Sequence, residues 1–245
     1  MYLPEDKSNL VKTVTSENPY FGLGPEMAAY HIDAVERKLK VGNAYRFEID
    51  SPWVHIKQGE YQCKNLQRIA SGARFVPSPC LDCYKTVVRP HNVKQLIALL
   101  ELMEELQYQS KCGVEERPYV FGNYGGYFYS RGLEAGQARS REVKPLIHKR
   151  IGEMPVYLKR FCTEFEMNLC PGKSGSYEQD VAQKKLEKKI FHRMDMELYG
   201  DLQPDDLKEL LVARWIRLAY SWGDITALEF NNGEPLGPDI QTYEF

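Results

Sequence analysis

The chain has 245 residues, 43% of them hydrophobic and 27% charged, which is enough to bury a sizeable core in one large domain or one domain with an appendage. Its 32 basic and 34 acidic residues leave a formal charge of −2, so no global field draws it to nucleic acid or to an anionic membrane, and any such binding has to come from a local patch. No apolar run reaches the roughly 18 residues of a membrane-spanning helix, and Met1-Tyr2-Leu3-Pro4-Glu5-Asp6 has neither a basic n-region nor an apolar h-region, so a cytoplasmic location without membrane partners is expected.

Residues 1 to about 20 read as an irregular lead-in. Pro25 to Lys40 has near-helical apolar spacing and a stop at Gly42. Ala44–Ile49 and Trp53–Ile56 alternate as short strands around Asp50-Ser51-Pro52, which predicts an N-terminal hairpin. Residues 57–79 show little period, and the prolines at 77 and 79 disfavour helix. Then Thr86-Val87-Val88 predicts a strand. Asn92, with Gln95 three residues on, predicts a capped helix carrying the stripe Val93, Leu96, Ile97, Leu100, Met103, Leu106. Lys111–Glu116 and Val156–Cys162 are further strands. Ser130–Arg150 reads as helix, bent or split at Pro145.

Strand–helix–strand–helix–strand from 85 to 162 predicts an α/β (or α+β) fold with a mixed or parallel small sheet and flanking helices. After a break at 168–176, Ser176 with Gln179 reads as a capping pair. Leu186, Ile190, Met194 and then Leu211, Trp215, Leu218 predict a C-terminal helical hairpin. The expected division is an α/β domain over 1–167, the hairpin over 176–223 and a tail over 224–245.

Cysteines carry the first chemical signal. A reduced compartment makes the six, at 63, 80, 83, 112, 162 and 170, core residues, metal ligands or reactive thiols rather than a disulfide framework. Cys80-x-x-Cys83 can hold one metal ion from a tight turn, with the remaining ligands drawn from Cys63, Cys112 and Cys162. Thiols outnumber suitably spaced histidines (His91 is the nearest), so an iron–sulfur cluster is expected ahead of zinc. A strand rather than a helix follows Cys83, which counts against a redox dithiol. The competing expectation is that these thiols are small buried side chains.

The second signal is Gly122-x-x-Gly125-Gly126 ahead of a predicted helix, crowded by Tyr119, Phe121, Tyr124, Tyr127, Phe128 and Tyr129. Backbone N–H groups at such glycines can turn toward an anion, and Arg117 and Arg131 flank the stretch. Arg117, Gly125, Gly126, Tyr127 and Arg131 are therefore the candidate ligand-binding residues, for a small anionic or phosphate-bearing ligand. The plain alternative is a tight loop with glycines at positive φ and tyrosines packed on the core. No catalytic residues are assigned.

Two functions follow as expectations. One is a cysteine-ligated metalloprotein, an oxidoreductase or an electron-transfer or maturation subunit with a protein partner. The other is a non-catalytic module that stacks nucleotides or RNA on its tyrosines, zinc-stabilised or metal-free.

Overall fold

A computed structural model describes residues 52–57, 63–193, 203 and 205–237. The lead-in, the 25–40 helix and the 44–49 strand lie outside the described residues. Those described fall into two compact units: a sheet unit of 52–57, 82–160, 203 and 205–237, and a helical unit of 63–81 and 161–193. The two segments expected to make one C-terminal hairpin belong to different units.

The sheet unit is built on five strands: β1 (Trp53–His55), β2 (Cys83–Val88), β3 (Ser110–Val114), β4 (Tyr124–Arg131) and β5 (Val156–Arg160). They lie in the order β1-β3-β4-β2-β5, and every neighbouring pair is antiparallel. The α/β class stands, but the sheet is antiparallel, not mixed or parallel. The reason is β4. The Gly/Tyr stretch expected to be a loop is a strand, and it inserts between β2 and β3. Those two still run parallel to each other, joined by α3 (Val93–Leu106), but they do not touch. With α4 (Leu133–Arg150) linking β4 to β5, the chain path is β2-α3-β3-β4-α4-β5. That is the split βαβ arrangement of ferredoxin-like domains, with β1 added at one edge.

Local chemistry accounts for these elements. Asn92 Oδ1 accepts the Gln95 N–H at 2.9 Å and caps α3, while Gln95 Oε1 accepts the His91 N–H at 2.8 Å. The helix closes on Gln107 in the left-handed region. β4 runs as far as Arg131, so α4 begins at Leu133, after Gly132 at φ 81. Pro145 lies on the exposed side of α4, where water can serve the carbonyl that its missing N–H leaves, and the helix is continuous through it. Gly136 lets α4 settle on the sheet, since a Cβ there would meet Tyr84 Cβ at 2.9 Å.

Alternation along the strands divides the sheet into two faces. One carries Val54, Val88, Cys112, Val114, Tyr124 and Phe128 into the core against Leu96, Leu99, Met103 and Ile147 of the helices. A further helix, α7 (Asp205–Ser221), adds Leu211 and Trp215 to the same core. Trp215 Nε1 donates to the Pro52 carbonyl at 2.8 Å. Gln203 seals β1: its Oε1 accepts the His55 N–H and its Nε2 donates to the Trp53 carbonyl.

The helical unit holds α1 (Cys63–Ala73), the short α2 (Ser78–Leu81), α5 (Thr163–Leu169) and α6 (Val181–Arg193). Its core is Leu66, Ile69, Phe75, Val76, Phe161, Phe165 and Ile190. The strand expected over Val156–Cys162 stops at Arg160, and α5 starts at Thr163. The reciprocal cap of α6 is Asp180 with Gln183, not Ser176 with Gln179. Gln179 instead donates to the Val76 carbonyl and to Glu187 inside the unit.

Candidate anion-binding face of the sheet

The second face of the sheet collects the charged and aromatic residues of alternate positions. One row crosses all five strands: His55 pairs with Lys111, Lys111 with Tyr127, Tyr127 with Val87, and Val87 with Tyr157. Lys85 stands one place further along β2 on this face, and Arg89 follows the strand at the other end. Glu115 and Arg117 follow β3 in the same way.

Tyr127 is the hub and is only 4% exposed. Lys85 Nζ lies 5.4 Å, the Arg89 guanidinium 5.6 Å and Lys111 Nζ 5.8 Å from its ring centre. Trp53 meets it edge-on at 5.5 Å. Trp53 in turn carries Lys111 at 4.6 Å and Arg117 at 6.0 Å. These distances suit cation–π attraction, which strengthens as the cations lose water.

The Glu115 side chain is wholly buried among these cations. Arg117 grips its carboxylate with Nε to Oε1 and Nη2 to Oε2, both at 2.6 Å, and Arg89 Nη1 stands 3.6 Å from Oε2. Tyr127 donates its hydroxyl to Oε2 at 3.1 Å and accepts from Arg117 Nη2 at 3.2 Å. Burial alone would raise the Glu115 pKa, but the Arg117 and Tyr127 hydrogen bonds and the Arg117 charge win and hold it below the usual carboxylate range. Burial raises the Tyr127 pKa, Glu115 adds to this, and the surrounding cations only partly oppose it, so the phenol stays neutral and serves as a donor. Burial works against the charge on Arg89, but Tyr127, Tyr157 and Glu115 outweigh it and its pKa is raised.

Of the five residues that the sequence proposes for ligand binding, three converge here: Arg117, Gly125 and Tyr127. Gly125 makes room, since a Cβ on it would lie 2.9 Å from Arg89 Nη1 and 3.1 Å from the Tyr127 hydroxyl. Gly126 points to the opposite face, against Leu99 and Met103. Arg131 ends β4, four residues and about 13 Å from Tyr127 along the strand. Neither Gly125 nor Gly126 takes a positive φ, so no anion-cradling glycine loop is made from them. Lys85, Arg89, Lys111, Glu115, Trp53 and Tyr157 are not among the ligand-binding residues that the sequence proposes. Their signal is a period of two, Lys85/Val87/Arg89 and Lys111/Gly113/Glu115, which means something only once β4 is placed between those strands.

The proposed thiol ligands are distributed as follows. Cys63 opens α1 and is exposed, Cys80 is buried in α2, and Cys162 is the N-cap of α5, with its Sγ 3.7 Å from Gln67 Nε2. These three belong to the helical unit, Cys83 and Cys112 to the sheet unit. In the ladder Cys83 pairs with Arg131 and Cys112 with Gly126, five residues or about 17 Å apart along β4, and their side chains stand on opposite faces. Among the described residues no three His, Cys, Asp or Glu side chains gather as a metal-binding group. No family model, no curated protein and no solved structure matches the chain.

Proposed function

We propose that the sheet unit is a binding module for a phosphate-bearing ligand, of nucleotide or nucleic-acid type, seated on the second face of the sheet. One observation carries this reading. Lys85, Arg89, Lys111 and Arg117 all lie within 6.0 Å of the Tyr127 or Trp53 ring, beside the buried Glu115. With an overall charge of −2, phosphate affinity has to come from a local gathering of cations such as this one. Glu115 fixes the Arg117 fork before any ligand arrives, which lowers the ordering cost of binding. Because the Nε and Nη2 edge of Arg117 is engaged by Glu115, the cluster would meet phosphate oxygens by its positive field and by point charges such as the Lys111 ammonium.

The test is equilibrium binding of a labelled oligothymidylate and of inorganic polyphosphate across a salt series. The expected result is affinity for both that falls steeply with salt and weakens in Lys111→Ala. Absence of binding at low salt, or binding that Lys111→Ala leaves untouched, overturns the reading. A cysteine-held iron–sulfur or zinc centre has no comparable gathering of side chains to support it. Iron, zinc and acid-labile sulfide analysis of protein purified without oxygen tests that alternative directly.

A further inference from the structure

The loop between β3 and β4 carries the least expected side chain on the surface. Phe121 is 97% exposed. An aromatic ring held almost fully in water gives up the burial that such rings normally contribute, and its position gives it a use. The loop is pinned at its base, where the Glu115 N–H donates to the Asn123 carbonyl at 2.7 Å, and it turns where the Val120 N–H donates to the Arg117 carbonyl at 3.1 Å. Across such a turn the Cα atoms of Arg117 and Val120 lie within about 7 Å. Phe121 is one Cα step of about 3.8 Å beyond. Tyr119, at the turn itself, is 48% exposed. The loop that delivers Arg117 to the cation cluster thus also presents two exposed aromatic rings, one of them with both faces in solvent.

Tyr127 is not available as a stacking platform, because cations and Trp53 already surround its buried ring. We propose that the ligand of this face is a single-stranded nucleic acid, whose phosphates lie on the cation cluster and whose neighbouring base stacks on Phe121. The proposal rests on the phosphate-binding reading above and names its ligand class. Every base has a π-face, so such stacking tolerates sequence, whereas a duplex has its bases already stacked and withheld from the ring.

The experiment uses the full chain with three probes: labelled oligothymidylate, inorganic polyphosphate, which has charge but no base, and a blunt DNA duplex. Phe121→Ala should weaken oligothymidylate binding roughly 5- to 150-fold and leave polyphosphate binding unchanged. Phe121→Trp should retain the affinity and show emission quenched by the oligonucleotide, beyond that of the native tryptophans, but not by polyphosphate. The duplex should compete weakly. Oligothymidylate binding that is indifferent to Phe121→Ala, equal losses for both linear probes, or a duplex that binds as tightly as the single strand each overturns the single-strand proposal while the phosphate reading stands. If the unaltered chain binds neither linear probe, the phosphate reading falls as well. Phe121 is almost fully solvated, so both variants should fold, and far-ultraviolet circular dichroism checks this.

Discussion

Tyr127 donates its hydroxyl to Glu115 Oε2 at 3.1 Å, and through this one contact a buried tyrosine and a buried carboxylate act as a single fixed piece. The bond joins the middle of β4 to the residue just past β3. Around it Arg117 and Arg89 approach the same oxygen, and Lys85 and Lys111 approach the same ring. The two guanidiniums thus face an internal counter-charge, and the two ammoniums a π-face.

Glu115→Gln is therefore expected to destabilise the sheet unit at neutral pH by about 3 kcal/mol, because it removes the buried carboxylate charge that faces two partly buried guanidiniums. Urea denaturation of both chains measures this. A difference near zero would mean that the amide replaces the carboxylate at no loss and that the carboxylate does not organise the cluster.

Acid titration gives an independent reading of the same group. The Glu115 carboxyl lies below the usual range when folded and returns to about 4.3 when unfolded. As pH falls through the unfolded value, the unfolded chain takes up the proton first. The stability that Glu115 contributes is therefore complete above about 4.3, declines below it and is gone once pH passes the folded pKa. The stability gap between the unaltered chain and Glu115→Gln should narrow in that acid window and stay constant from neutral to mildly alkaline pH. A gap that instead narrows on the alkaline side would contradict the assignment.

Lys111 reaches both rings and stands in the row that crosses the sheet. If a phosphate lies against it, Lys111→Ala should reduce the slope of log K against log salt for a single strand by roughly 0.7 to 1, the loss of one neutralised phosphate. Anisotropy titrations at four or five salt concentrations give the slope. An affinity loss with an unchanged slope would place Lys111 in packing instead of phosphate contact.

Much of the scaffold is legible in the sequence: β2 announces itself by Thr86-Val87-Val88 and α3 by a helical stripe and the Asn92 cap, and β3 and β5 fall within or beside the expected strands. β4 is not, and the reason is physical. Gly125 and Gly126 look like loop residues, yet each is a glycine because something presses on it: Arg89 and the Tyr127 hydroxyl on one face, Leu99 and Met103 on the other. Only a strand gripped from both sides imposes that, and sequence periodicity does not record it. Reading β4 as a loop hid the antiparallel order and with it the row from His55 to Tyr157. The aromatic and arginine signal around Tyr127 was visible, but its geometry was not. The helix α1 does carry a helical signal, Leu66, Ile69, Ala70 and Ala73 at i, i+3, i+4 and i+7, but its small alanines and polar neighbours make that stripe weak beside the prolines that follow.

Gly113 is a sharper case of the same effect. A Cβ there would lie 2.0 Å from the Pro52 carbonyl oxygen and 3.1 Å from the Trp53 ring. The first obstacle is backbone and cannot swing aside. Gly113→Ala should push β1 away from β3 and carry Trp53 out of reach of Tyr127 and Lys111. An overpacking cost of about 3 kcal/mol or more is expected, together with a change in tryptophan fluorescence. Unchanged stability would show that β1 is not held at this register.

Cys112 provides the last test, and it bears on whether the thiols can serve a metal. Its side chain is fully buried in the core of the sheet unit, at the β3 position paired with Gly126. Burial, with a smaller push from the charge of Glu104, raises its pKa far above that of an ordinary thiol. Only the thiolate attacks an alkylating reagent, so burial in the folded chain shields this thiol from it. Alkylation with iodoacetamide followed by peptide mapping should find Cys112 unmodified in the native protein while Cys63, at the exposed start of α1, reacts readily. Denaturant should then expose Cys112 on the same curve as global unfolding. Cys112→Ala should cost roughly 1 kcal/mol, the worth of one buried methylene-sized group, and leave any bound iron or zinc unchanged. Metal lost with that single thiol, without loss of fold, would return Cys112 to a ligand role and require the strand that carries it to open.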